Sequence, residues 1–148
     1  MAHVRVFYED WQMECCGRPF SVGDEVGLRL VAVDEGARDG RWYGAEAWVE
    51  NHGDPRHKTV GRVRAIDLVH EEYTAAHVTE PVEPVPGKVT FVSDGRGLEP
   101  VPGTRTLEPV DRCPRWFGEK PVPQQGPPRV RRTRGALVTL EVPDAGRP

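Results

Sequence analysis

What this chain lacks narrows its function before any motif is read. No apolar stretch approaches the roughly 20 residues that a bilayer-spanning helix needs, and no basic amphipathic helix is legible, so membrane attachment is not expected. The N-terminal MAHVRVFYED has none of the basic, apolar and small-residue sections of a secretory leader. Cysteine is scarce: Cys15, Cys16 and Cys113 form an odd set without Cys-x-x-Cys spacing, which points to a reduced, cytoplasmic protein. Nor is there an excess of positive charge. Twenty Lys and Arg against 23 Asp and Glu give a net charge of -3, which opposes binding to a generic polyanion unless the basic residues are segregated. No known catalytic signature is present.

What is there fits one domain. A length of 148 residues with 37% hydrophobic content furnishes one modest core, while 16 Gly and 15 Pro limit regular structure. Eleven of the prolines lie between Pro81 and Pro128. His3 to Tyr8 alternates with Val4, Val6 and Tyr8 on one face, and Arg134 to Val142 does the same with Ala136, Val138, Leu140 and Val142, so both are expected as half-buried strands, the second closing the sheet. Val22-Gly23-Asp24 leads into a run in which Val26, Leu28 and Leu30 share a face. Thr59 to Tyr73 is rich in β-branched residues but changes phase near Ala65 and Ile66, as a bulged strand would. Arg41 to His52 fits a helical stripe (Trp42, Ala45, Trp48, Val49, His52) and also a strand (Tyr43, Ala45, Ala47, Val49). The helix is favoured, with Asp39 as N-cap and Gly53 as C-cap.

Glu-Pro-Val recurs at Glu80, Glu83, Glu99 and Glu108, a unit too short and proline-rich for a solenoid and suited to proline-bounded edge strands or extended loops. Lys88 to Val92 alternates between the copies as a strand would, and Cys113 to Pro128 reads as an irregular loop. The expected architecture is a mainly β (α+β) fold, a small, partly open antiparallel barrel of SH3-like or OB-like type. It has five or six strands, one short helix and a proline-rich irregular insertion over residues 79–128. Residues 1–142 make the single domain and 143–148 a disordered tail.

Tyr8 to Val26 (YEDWQMECCGRPFSVGDEV) concentrates the chemistry, with aromatics beside a vicinal cysteine pair. Four readings follow. The favoured one is a non-enzymatic cytoplasmic binding or adaptor domain for an unknown protein partner, with Tyr8, Trp11, Cys15, Cys16, Phe20 and His52 as its surface. A zinc site would draw on Cys15, Cys16, His52 and His57, with His70 and Cys113 as further ligand types. Adjacent cysteines in a strand, however, point to opposite faces and resist sharing one ion. A nucleic-acid site would use Arg129, Arg131, Arg132 and Arg134, with Arg112, Arg115, Lys120, Trp116 and Phe117 nearby, where one carboxylate, Glu119, stands among seven cations. A cysteine-dependent enzyme would pair Cys16 with His52 or His70 as base and Asp10, Glu14 or Asp24 as orienter. No cofactor is called for outside the zinc reading.

The YEDWQMECCGRPFSVGDEV block, the His52-Gly53 pair, GRVRAIDLVHEEY and the closing GALVTLE together resemble a family of short actinobacterial proteins known only as a domain of unknown function. The resemblance covers about two-thirds of the chain in four blocks, the cysteine block being the most specific. Members of that family read His-His-Gly where this chain has Asn51-His52-Gly53, a departure that counts against a two-histidine metal site. The resemblance implies no activity. The Glu-Pro-Val repeats and the Arg112 to Arg134 region lie outside it.

Overall fold

The computed structural model describes residues 2–37, 42–52, 56–75, 98–122 and 129–143. In chain order the elements are β1 (Ala2–Glu9), α1 (Asp10–Cys16), β2 (Phe20–Ser21), β3 (Glu25–Leu28), β4 (Leu30–Ala32), a 3-10 turn at Glu35–Ala37, and β5 (Ala47–Val49). They continue with β6 (Thr59–Ala75), β7 (Leu98–Pro100), β8 (Thr106–Val110), β9 (Arg112–Cys113), β10 (Glu119–Val122) and β11 (Arg129–Val142). The protein is mainly β, and its main sheet curls into an open half-barrel, as the alternating runs led one to expect.

Two long strands organise that sheet. β6 and β11 pair antiparallel from Arg129 opposite Thr74 to Glu141 opposite Arg62. The far edge of β6 takes β3, β8 and β7 in turn, while the far edge of β11 takes β1 along its C-terminal half and β10 along its N-terminal end. β5 then adds to β1 in parallel and β4 closes that side, giving the order β3-β6-β11-β1-β5-β4. β11 is therefore central instead of closing the sheet. A separate two-stranded pair joins Phe20 to Cys113 and Ser21 to Arg112.

Burial follows the two-residue period. Val4, Val6 and Tyr8 of β1 meet Ala136, Val138, Leu140 and Val142 of β11 and Val63 and Ile66 of β6 in the main core, joined by Met13, Phe20, Leu28, Ala47, Val49 and Cys113. Val26 and Leu30 pack against its margin. Phe7 points the other way and forms a smaller cluster with Ala45, Val69 and Leu137. The expected phase change in β6 is real: the ladder slips between Thr139 opposite Ala65 and Leu140 opposite Val63, leaving Arg64 as the extra residue. His70, buried in β6, ties its neighbours across the sheet, with Nδ1 2.8 Å from Thr133 Oγ1 and Nε2 2.8 Å from Glu108 Oε1.

Three expectations are corrected. The helix assigned to Arg41–His52 is instead a turn followed by β5, because Tyr43 (φ 55°) and Gly44 (φ 83°) adopt left-handed backbone. Ala45, Ala47 and Val49 are then buried at strand spacing. Asp39 and Gly53, its assigned caps, lie outside the described residues. The helix is at Asp10–Cys16, where a strand had been assumed for the cysteines. Of the expected loop from Cys113 to Pro128, residues 114–118 are irregular, but Cys113 ends β9 and Glu119–Val122 forms β10, residues 123–128 lie outside the described residues, and short strands of two to five residues raise the strand number beyond five or six. The Glu-Pro-Val copies at Glu99 and Glu108 are edge strands on β6, with Pro100 opposite Tyr73 and Pro109 opposite Asp67. The copies at Glu80 and Glu83, the Lys88 to Val92 run and residues 144–148 lie outside the described residues.

Gly135 shows how tightly the central strands meet. A Cβ there would stand 2.2 Å from the Tyr8 carbonyl oxygen and 3.0 Å from Glu9 Cα. Gly135→Ala is expected to lower stability by about 3 kcal/mol or more through displacement of β1 from β11. Urea denaturation measures it, and a loss under about 1 kcal/mol would contradict this packing.

Candidate functional site

The site forms where α1 meets the end of β5. One face of this seven-residue helix is buried, with Asp10, Gln12 and Met13 inward, so Trp11, Cys15 and Cys16 face outward. Gly17 ends the helix with its N–H on the Met13 carbonyl at 2.9 Å. A Cβ at Gly17 would lie 2.5 Å from Met13 Sδ and 2.6 Å from the Tyr8 hydroxyl, so only glycine lets the chain leave the cysteines along this path.

A polar clamp fixes the helix to the segment after β5. The Asn51 amide N–H donates to Gln12 Oε1 at 3.0 Å, and Asn51 Nδ2 donates to the Gln12 carbonyl and to the Tyr8 hydroxyl, each at 2.9 Å. Gln12 Nε2 donates to Glu50 Oε1 at 3.2 Å. Gln12 is fully buried, so these bonds satisfy groups that would otherwise be stranded.

That clamp delivers His52 to the cysteines. Its backbone N–H donates to Glu50 Oε1 at 2.9 Å, and its Nδ1 lies 3.3 Å from the same oxygen. Glu50 accepts there, so Nδ1 carries the hydrogen and the Nε2 lone pair lies 3.6 Å from Cys16 Sγ, which is bonded to Cys15. Trp11 stacks on the imidazole at 6.0 Å between centroids and 11° between planes, and its indole N–H donates to Glu9 at 2.8 Å. The His52 amide, and next the Gln12 side chain, hold the Glu50 carboxyl below the ordinary glutamate value of 4.5. The Glu50 contribution is thus complete above that value and lost as pH falls through the lower folded-state value.

Cys15 and Cys16 form a vicinal disulfide. One ligand atom from each of Cys15, Cys16 and His52 lies within 4.8 Å of the others, the only such cluster among the described residues. The helix turn overcomes the opposite-face objection that holds for a strand. His57 is not in the cluster. Cys113 is buried far into the core, where burial pushes its thiol up to about 12.

A cleft of about 630 Å³ opens beside Cys16. Tyr8 and Phe20, expected at the surface, are buried at 2% and 4% exposure because they alternate into the core, and they line this cleft from below. Val26 and Leu28 add apolar wall, and Arg18 and Lys58 line it with charge. Trp11, at 48% exposure, is the exposed aromatic of the group.

Other candidates are dispersed. His70 is engaged elsewhere in the sheet, Glu14 accepts the Phe117 N–H at 3.1 Å, and Asp24 accepts the Ser21 N–H at 2.8 Å. Asp10 is 3.9 Å from Arg132. The four arginines of β11 do not share one surface: Arg129 reaches Glu72 at 3.3 Å, Arg132 reaches Glu119 at 3.4 Å, Arg134 lies near Tyr73, and Arg131 is exposed opposite Lys120. Sequence reasoning missed Glu50, Gln12 and Asn51. The Glu-x-His spacing was the one available signal for Glu50; the Gln12–Asn51 pairing depends on long-range contact and left none.

The chain belongs to a family of unknown function (DUF6578), whose profile matches residues 2–142, a span that includes the Glu-Pro-Val repeats and the Arg112 to Arg134 region expected to lie outside it. No curated protein and no solved structure matches it. Among the described residues, no helix is long and apolar enough to cross a membrane.

Two outcomes test the site's construction. Asn51→Ala should cost about 1–3 kcal/mol in urea denaturation, because it strips hydrogen bonds from Gln12 and Tyr8. In the folded protein at pH 8, maleimide should leave Cys113 unlabelled, and labelling should appear on unfolding; rapid native labelling would contradict its burial.

Proposed function

We propose that this is a cytoplasmic binding domain that engages its partner by thiol–disulfide exchange at Cys15 and Cys16, with His52 as proton acceptor and Glu50 holding its ring. The observation that carries this reading is the line Glu50 Oε1, His52 Nδ1, His52 Nε2 and Cys16 Sγ, at 3.3 and 3.6 Å. It has the order of a carboxylate, a base and a nucleophile.

In the reduced form, Nε2 takes the Cys16 thiol proton. The Cys16 thiolate attacks one sulfur of a partner disulfide, forming a mixed disulfide and releasing the other partner sulfur as a thiolate, which takes the proton from His52. Cys15, one residue away, then attacks Cys16 Sγ. Its proton passes to the departing partner sulfur, and the vicinal disulfide forms. Two electrons and two protons have moved to the partner, which leaves as two thiols. The cleft along Tyr8 and Phe20 offers a surface for the partner beside Cys16, and exposed Trp11 offers a stacking face. Exposed vicinal cysteines in a reducing compartment suit such a cycle.

A second reading has its own observation. Cys15, Cys16 and His52 hold one ligand atom each within 4.8 Å of one another while the two sulfurs are bonded, and reduction of that bond would free three donors of the kind a soft or borderline ion such as zinc takes, leaving one tetrahedral position for water or a partner group. If this is the working state, zinc should protect both cysteines from alkylation, and Cys16→Ser should abolish the protection.

The exchange reading is tested by alkylating the reduced protein with iodoacetamide at neutral pH and locating the label by mass spectrometry. Cys16 should react first, and His52→Ala should slow it about tenfold while leaving Cys15 unchanged. A Cys16 rate indifferent to His52→Ala, or Cys15 reacting first, would overturn it.

A further inference from the structure

One end of the sheet, where β10 joins β11 and β8 joins β6, presents an exposed aromatic beside cations that the fold leaves without counter-charges. The β6–β11 ladder steps from Thr133 opposite His70 to Gly135 opposite Val69, so Arg134 is the extra residue of a bulge. Arg134 goes to the face of Phe7, Tyr43 and Tyr73, where it lines a second cavity with them. Thr133 stays on the other face, its hydroxyl 2.8 Å from His70 Nδ1. There a pocket of about 220 Å³ lies between His70, Thr133, Trp116, Phe117, Lys120 and Arg131.

Trp116 is 67% exposed, more than any other large hydrophobic side chain among the described residues. A lone exposed apolar residue is ordinary, but the backbone around this one is pinned on both sides. Cys113 pairs with Phe20, the Phe117 N–H donates to Glu14 at 3.1 Å, and the Gly118 carbonyl accepts the Thr133 N–H at 3.2 Å. The ring is therefore held in solvent by the fold, with the Arg115 guanidinium 5.3 Å over it. Lys120 and Arg131 stand opposite each other in the β10–β11 ladder, both exposed. The carboxylates near them are engaged elsewhere: Glu72, opposite Arg131, pairs with Arg129 at 3.3 Å, and Glu108 with His70 at 2.8 Å. The two-residue period turns Glu119 to the other face, where it pairs with Arg132. Among the described residues, Arg115, Lys120 and Arg131 make no ion pair, and Glu108 is the one carboxylate lining the pocket.

We propose that this face binds single-stranded nucleic acid, with one unpaired base stacked at Trp116 and the adjoining phosphates on Arg115, Lys120 and Arg131. A fixed, exposed indole beside cations without counter-charges meets both parts of a nucleotide unit, the π face and the phosphate. The pocket is smaller than the roughly 300–1,000 Å³ of sites that enclose a whole small-molecule ligand, so it takes one ring of a longer chain. A duplex does not fit this mode, because its base faces are already covered by stacking. The net charge of -3 over the whole chain leaves the attraction to this patch and makes it sensitive to salt. Cys15, Cys16 and His52 take no part in it.

The test is fluorescence anisotropy of the full chain with a dye-labelled single strand of about 12 nucleotides, prepared as DNA and as RNA. Saturable binding to at least one of the two is expected, weakening about tenfold over an about fourfold rise in salt, the slope of about two to three phosphate contacts. Trp116→Ala should weaken it about tenfold and leave the melting temperature unchanged. Lys120→Gln combined with Arg131→Gln should flatten the salt dependence, and this pair carries the test should Trp116→Ala fail to fold. No binding to either strand, equal binding to poly-glutamate or to the duplex of the same sequence, or an affinity untouched by these substitutions would overturn the proposal.

Discussion

Everything in this protein hangs on the ladder between β6 and β11. Both strands are longer than any other element, and each uses one edge on the other and the second edge to recruit short strands that could not persist alone. The short strands matter because they carry what the long ones cannot. β5 ends beside Glu50, Asn51 and His52, and β8 and β10 bring Glu108 and the Trp116–Lys120 region against the sheet. The ladder's two slips are equally consequential. The one at Arg64 bends β6, and the one at Arg134 turns a strand residue into a cavity residue.

The cysteine site shows how a short helix acquires precision. Seven residues without a side-chain N-cap hydrogen bond would not hold a helix in water, so α1 depends on Met13 and Gln12 being buried and on the Asn51 contacts. Those contacts come from a segment 39 residues further along the chain. The same bonds that stabilise α1 thereby set the separation between Cys16 and His52, so stability and chemistry share one set of groups.

The legible parts of the fold were those whose signal is local. Val4, Val6 and Tyr8, and Ala136 to Val142, carry the two-residue period of strands buried on one side, and the phase change near Ala65 marked the bulge in β6. The helix was illegible because DWQMECC is too short for a period to repeat, and the turn at Tyr43 was misread because an aromatic residue at positive φ leaves no sequence mark. At the site, Cys15, Cys16, Trp11 and His52 were identifiable as residue types, whereas their meeting is a tertiary fact. Tyr8 and Phe20 were assigned to the surface because large aromatics beside cysteines look like a contact patch; alternation sends both inward, where they line the cleft instead.

The central claim is that Cys15 and Cys16 act as one two-electron couple. Equilibrating the protein in graded mixtures of reduced and oxidised dithiothreitol, trapping free thiols with maleimide and reading intact mass tests it most directly. The account requires a single transition in which two labels are gained or lost together, mapped to the peptide that holds both residues, with Cys113 unaffected. Two independently titrating thiols, a pair that stays reduced in every mixture, or oxidation only as a dimer between chains would contradict it.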